Sequence, residues 1–199
     1  MSQIISKEEF EELMKIKGET RGMSLKGEGN FILKQEGEEG LKKLEKTIAE
    51  LGYPIKFKEI KAMDFYPLGL EVVTLVAIKR LFNYDDEKFR EMGRFESKLS
   101  FIIRLFMKYF FSMKQAIKVA PKMWKENYTV GDLEVPEFDE EKKYAIIKIK
   151  NFQGYPLLCL DLQGYFPGIV QMIVGTPATC QETKCVHRGD EYHEFVLKW

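Results

Sequence analysis

Apolar positions recur along this chain at two spacings, threes and fours in some stretches and strict alternation in others, and the spacings predict the elements. Residues 6–16 place Phe10, Leu13, Met14 and Ile16 at helical intervals behind Ser6, with Glu9 completing a capping-box pattern. A short amphipathic helix is expected there. "TRGMSLKGEGNFILKQ" is expected to form two strands around a glycine-rich turn at 26–30. A helix over "EEGLKKLEKTIAEL" follows, with Leu41, Leu44, Ile48 and Leu51 on one face. Leu68 to Phe82, "LGLEVVTLVAIKRLF", is apolar nearly all round, the pattern of a helix buried on most sides. From Leu99 the residues Ile102, Ile103, Phe106, Phe110, Met113, Ile117 and Ala120 step by three and four, which predicts a long helix that Pro121 bends or ends. "TVGDLEVPEFDEEKKYAIIKIKNF" reads as strand, acidic loop and strand, followed by a helix over 156–174 and a final hairpin. The resulting order is α, ββ, α, helices, ββ, α, ββ, an α+β chain read as a single domain over 1–199.

Composition narrows this picture. With 45% hydrophobic and 13% aromatic residues, a chain of 199 can fill one core. Thirty-one basic residues balance thirty-one acidic ones, so no overall field draws the chain to nucleic acid or anionic lipid. Three cysteines are too few and odd in number for a secreted disulfide framework, which points to a reducing compartment with thiols free or metal-bound. "MSQIISKEEFEELMK" lacks the basic and apolar regions of a signal peptide. A cytoplasmic protein without membrane insertion is expected, and the sequon Asn127-Tyr128-Thr129 is read as accidental. The longest apolar runs are interrupted by Arg104 and Lys108 in one case and by Asp161 and Gln163 in the other.

The scarce chemistry is concentrated at one end. "CQETKCVHRGDEYHEFVLKW" holds two of the three cysteines and both histidines. If Arg188-Gly189-Asp190 is the hairpin loop, Cys185 lies across from His193 with side chains starting about 5 Å apart. A thiolate and an imidazole at that separation can reach one tetrahedral metal. Glu182 and Cys159 are the candidates for the remaining ligands, giving two thiolates, a carboxylate and an imidazole, a donor set suited to Zn²⁺. Regular alternation puts Glu182 and Cys185 on opposite faces, so joint coordination requires a bulge or turn. The plain alternatives are a small core cysteine at Cys159, a solvated strand residue at Glu182 and a hydrogen-bonded core histidine at His193. Cys180 and His187 are left as bystanders. Arg188-Gly189-Asp190 is read as turn chemistry, not as an adhesion tripeptide.

The segment "GIVQMIVGTPATCQETKCVHRGDEYHEFVLKW" resembles the C-terminal end of the 4-vinyl-reductase-like domain: an apolar helix, a Glu-x2-Cys strand, a Gly-Asp turn and a ligand inside an aromatic-bearing last strand. The resemblance is most specific over 140–199, extends over 60–199, and leaves 1–60 as an N-terminal α/β segment. It implies a mixed α/β sandwich, with antiparallel hairpins on a helical layer, related to haem-based nitric oxide sensors and to the trafficking subunits of the transport protein particle (TRAPP). It also implies a homodimer and one structural zinc. The sensor domains of aromatic-responsive activators, which are similar, carry Cys, Glu, Cys and Cys around that metal. Cys159, Glu182 and Cys185 match three of these positions, and His193 stands at the fourth. Histidine keeps a zinc-competent donor there; the alternative is a chain that retains the fold without the metal. By the same resemblance, Phe106, Tyr109, Phe110, Tyr165 and Phe166 would line a ligand cavity, whereas periodicity alone makes the helical aromatics core.

No phosphate-cradling loop, nucleophile elbow or HExxH pair is present, so no catalytic residue is assigned and enzymatic activity is not the expectation. Four protein ligands would leave zinc no open position, which makes it a structural clasp. The first expectation is therefore a module that binds a small hydrophobic or aromatic ligand and signals through a separate, unidentified protein partner. A dimeric scaffold of the TRAPP type is the second. An accessory protein or enzyme of tetrapyrrole vinyl reduction is the third.

Overall fold

The computed structural model describes residues 4–99 and 112–199. Ser6 caps the first helix, α1 (Lys7–Met14), by accepting the Glu9 amide at 3.1 Å, the cap its sequence announces. Strand β1 (Glu19–Arg21) then pairs antiparallel with β2 (Phe65–Pro67) in a small two-stranded sheet. Between them runs α2 (Gly22–Glu50), broken only at Gly37, where φ is +70°. The two strands expected over 20–35 are thus corrected to a strand of three residues and a helix.

Gly22 and the two glycines that suggested a turn, Gly27 and Gly29, are packing positions. A Cβ on Gly22 would meet the Lys61 carbonyl at 2.3 Å, one on Gly27 the Glu96 side chain at 2.8 Å, and one on Gly29 the Phe57 side chain at 2.6 Å. Each glycine costs about 1 kcal/mol of helix propensity relative to alanine. Burial of Leu25, Phe31 and Ile32, which lie on the helical interval, outweighs that cost.

Helix α3 (Leu68–Phe82) is buried from Leu68 through Ile78, as its all-round apolarity requires. It ends at Asn83, a left-handed cap with φ 53°. Helix α4 (Asp86–Leu99), which the apolar pattern did not single out, follows. The long helix expected from Leu99 does not run through intact: Ser112 is extended and caps a new helix, α5 (Met113–Asn127). That helix continues past Pro121 rather than ending there.

The second half of the chain builds a four-stranded antiparallel sheet in the order β3 (Asp132–Asp139), β4 (Tyr144–Lys150), β6 (His193–Lys198), β5 (Thr179–Lys184). Alternation is clean in β4 and β6: Ala145, Ile147, Ile149 and their partners Leu197, Phe195, His193 form one buried face. Between β4 and β5 lies α6 (Pro156–Val174), started by Pro156 and ended by Gly175 with φ 75°. On length and composition α6 could cross a membrane, and half of its apolar window is buried inside the protein. It packs most extensively on α4 and also meets the sheet. One cluster of buried apolar side chains extends from Ile5 to Leu197.

Candidate functional site

Two features stand out in this framework, a cluster of metal-competent side chains and a cavity beside it. The cluster lies where α6 meets the C-terminal hairpin. Cys159 comes from near the start of α6, Glu182 from β5, Cys185 from the residue that follows β5 and His193 from the start of β6. One ligand atom from each lies within 4.8 Å of the others.

The hairpin achieves this differently from the expected register. Arg188-Gly189-Asp190 does not close a three-residue loop with Cys185 opposite His193; instead Lys184 pairs with Glu194, and the register shifts between Glu182 and Lys184. That irregularity is the bulge needed for Glu182 and Cys185 to face the same way. A single 3₁₀ turn, Val186–Arg188, then follows, closed by Gly189 at φ 94°. Asp190 Oδ2 accepts the Cys185 amide at 2.8 Å, and the Cys185 carbonyl accepts the Arg188 and Asp190 amides. The Arg-Gly-Asp segment therefore holds Cys185 in place.

The separations within the cluster are informative. Cys159 Sγ lies 3.9 Å from Cys185 Sγ and 3.5 Å from His193 Nδ1, and His193 Nδ1 lies 3.2 Å from Glu182 Oε1. For bonds of ~2.3 Å to sulfur and ~2.0–2.1 Å to nitrogen or oxygen, the edges of a tetrahedron are about 3.8, 3.5 and 3.4 Å. These three separations match the edges of a tetrahedral metal site, and the remaining pairs lie within 4.8 Å.

The second layer supports the same arrangement. His193 Nε2 faces the Phe152 carbonyl at 3.1 Å, and a carbonyl only accepts, so Nε2 carries the proton. In the neutral imidazole Nδ1 is then a bare acceptor directed at a carboxylate oxygen. Two acceptors at 3.2 Å call for a cation or a second proton between them. Arg188 Nη1 holds the other Glu182 oxygen at 3.1 Å. Burial drives the Glu182 carboxyl upward, but its polar contacts with His193, Cys185 and Cys159 outweigh it and hold the group below its usual value. Burial pushes both cluster thiols up, Cys159 most strongly, with the Glu182 charge adding to it. A metal would be required to make them thiolates.

Cys180 and His187 stand outside the ligand group. Cys180 is pushed up to about 12, by burial first and the Glu182 charge second. His187 is exposed, its ring 5.7 Å from that of His193.

The cavity, about 290 Å³, lies between α2, α5, α6 and the buried face of the sheet. Met113, Ile117, Ala120, Trp124, Ile147 and Leu197 are among its walls. Tyr165 and Phe166 line it as well, whereas Phe106, Tyr109 and Phe110 lie outside the described residues. Aromatic contacts join cavity to cluster: Phe152 sits edge-on to Trp124 at 5.2 Å and to His193 at 6.0 Å.

One part of the site escaped sequence reasoning. Glu28, Glu71, Glu96 and Asp161 converge in the interior, and each has a carboxyl oxygen without a hydrogen-bond partner. Burial, reinforced by their neighbours' charges, pushes Glu28, Glu96 and Asp161 well up. Glu71 rises to about 7, because burial exceeds the opposing hydrogen bonds from Thr20 and Tyr128. The available signal was a lone acid inside an apolar helix, Glu71 in "LGLEVVTLVAIK" and Asp161 in "PLLCLDL".

These shifts predict a pH dependence. Between pH 4.5 and about 7 the folded chain keeps a proton on Glu71 that the unfolded chain has lost, so stability falls as pH rises through that window. Glu71→Gln should match wild type near pH 4 and exceed it by up to about 3 kcal/mol at pH 8, measured from urea midpoints. A difference independent of pH would contradict this assignment.

No protein-family profile and no curated protein matches the chain. Solved structures do. An H-NOX protein from S. oneidensis in the Fe(II)NO state superposes with a TM-score of 0.67 at 12% identity, covering 89% of this chain and 98% of that one. The Fe(II) unliganded H-NOX protein from K. algicida gives 0.64 at 10% identity, covering 89% and 95%. A trafficking protein particle complex subunit 3 from Naegleria fowleri, covalently bound to palmitic acid, gives 0.51 at 15% identity, covering 65% and 92%. At these identities the likeness is one of fold.

A further structure similar in fold concerns haem redox potential and porphyrin distortion. A histidine-ligated haem does not fit the cavity. The chain's two histidines both belong to the C-terminal hairpin and neither lines the cavity. Lys26 is the one basic residue among the described lining, beside the acids Glu96 and Asp161, a poor match to a macrocycle carrying carboxylates. The chain therefore has the mixed α+β architecture of H-NOX domains and of a trafficking-complex subunit, with a metal-competent cluster in its C-terminal hairpin.

Proposed function

We propose that this chain is a ligand-binding module of the sensor type. It encloses a small hydrophobic or aromatic molecule, is closed by a structural zinc clasp, and passes occupancy to a separate protein partner as a homodimer. The observation that carries this reading is the apolar cavity of about 290 Å³, at the lower end of the range for small-molecule sites. A structure similar in fold, the trafficking subunit, is covalently bound to palmitic acid; none of this chain's three cysteines lines the cavity. Zinc is supported by the donor set and the tetrahedral spacing of Cys159, Glu182, Cys185 and His193. Four protein ligands leave no open coordination position, so the metal has a structural role.

Native mass spectrometry of the untagged full chain, with parallel elemental analysis, tests both parts. A dimer carrying an organic adduct and about one zinc per chain is the expected result. A metal-loaded dimer that carries no adduct and binds no small apolar probe would instead favour the scaffold reading.

A further inference from the structure

The four interior carboxyls are not accounted for by the fold or by the zinc clasp. Glu28 and Glu71 are 2% and 3% exposed, and in both Oε2 has no partner. Glu96 Oε1 and Asp161 Oδ1 are also buried and unpartnered, and these two residues line the cavity. Leaving such oxygens unsatisfied is costly, more so if they are charged. Among the described residues no lysine or arginine forms an ion pair with any of the four. Lys26, the basic residue lining the cavity, is occupied elsewhere: its Nζ donates to the Ile60 carbonyl at 3.0 Å and to the Lys58 carbonyl at 3.4 Å.

The fold makes room for these groups rather than merely tolerating them. Glu96 lies over α2 at Gly27, where any Cβ would approach its carboxyl carbon to 2.8 Å. Glu28 is within electrostatic reach of Glu71 and Asp161, so the unpartnered oxygens address a common region. The remaining cavity wall is mostly apolar, with Trp124, Phe166 and Leu197 in it. Among the described residues, the only group whose donor atoms converge tightly enough for a metal is the cysteine, glutamate and histidine cluster. The acids are spread more widely, which suits a head group with several N–H donors better than a bare ion.

We propose that the cavity's ligand is a cationic amphiphile: an apolar body against Trp124 and Phe166, and a protonated amine donating to Glu96 and Asp161, with Glu28 and Glu71 behind them. This rests on the ligand-binding reading above and narrows it to a chemical class.

Isothermal titration of the full, metal-loaded chain at pH 7 with octylamine, 1-octanol and octanoate tests it. Octylamine should bind at least about tenfold more tightly than octanol, and octanoate more weakly than either. In Glu96→Gln the amine-to-alcohol ratio should fall below about threefold; Glu96→Gln/Asp161→Asn should remove the preference entirely. Equal affinity for amine and alcohol, or a preference that survives Glu96→Gln, would overturn the proposal while leaving the apolar cavity as a binding site. Failure of all three probes to bind would remove both readings together.

Discussion

Cys159→Ala should lose the zinc and lower the melting temperature by roughly 10–20 °C, corresponding to about 5 kcal/mol for a chain of this size. The size follows from what the metal joins. Cys159 belongs to α6, while Glu182, Cys185 and His193 belong to the last hairpin, so one ion would tie the sheet edge to the helix beneath it. Removing Cys159 also leaves Glu182, Cys185 and His193 buried with their polar atoms facing one another. Cys180→Ser and His187→Ala, which change no ligand, should keep one metal per chain. Arg188→Ala should weaken binding by roughly tenfold, because Arg188 holds the second Glu182 oxygen. The measurements are elemental analysis and thermal unfolding with and without chelator. Wild-type protein that purifies without metal, or whose melting temperature is lowered by neither chelator nor Cys159→Ala, would sink the clasp.

Gly164→Ala should destabilise the fold by about 4 kcal/mol, beyond the ~1–3 kcal/mol of ordinary overpacking. Here α6 and α4 meet backbone to backbone. A Cβ on Gly164 would sit 1.9 Å from the Arg90 carbonyl oxygen and 2.9 Å from Arg90 Cα, and a Cβ on Gly93 would sit 2.0 Å from the Asp161 carbonyl. Backbone atoms cannot rotate away, so the helices must separate along their length. The gain of about 1 kcal/mol in helix propensity does not compensate. Separation would also shift Cys159 and Asp161, both on α6, so the variant's zinc affinity should fall with its stability. Gly168→Ala is the internal control. Its nearest obstacle is Ser97 Oγ at 2.1 Å, a side-chain atom that can turn aside, so the cost should be much smaller. Urea unfolding of both variants decides the matter, and equal costs would show that the seam is not set by the helix backbones.

The legible part of the candidate site was its donor inventory. Cys159, Glu182, Cys185 and His193 could be chosen because thiols and imidazoles are scarce in this chain and three of the four fall in twenty residues. Their convergence was not legible, because it depends on a register shift at Thr183 and a 3₁₀ turn at Val186–Arg188. Neither leaves a mark in hydrophobic alternation. The convergence of the four carboxyls was not legible for a different reason. Glu28, Glu71, Glu96 and Asp161 come from four separate helices, and an acid's sequence context says little about what lies across a helix interface.

Local rules were enough for elements whose burial follows from their own pattern. They sufficed for α3, apolar on all sides, for α6 with proline at its start and glycine at its end, and for β4 and β6 with their alternating faces. They failed where a residue's role depends on its neighbour in space. Gly27 and Gly29 read as a turn because glycine's freedom is local, but they sit in a helix because Glu96 and Phe57 press against them. The chain's own periodicity therefore determined α3, α6, β4 and β6, since burying an apolar face needs only a partner surface. The tertiary structure alone decided which polar groups meet, because unlike burial that requires particular atoms from distant segments to arrive within a few ångströms of each other.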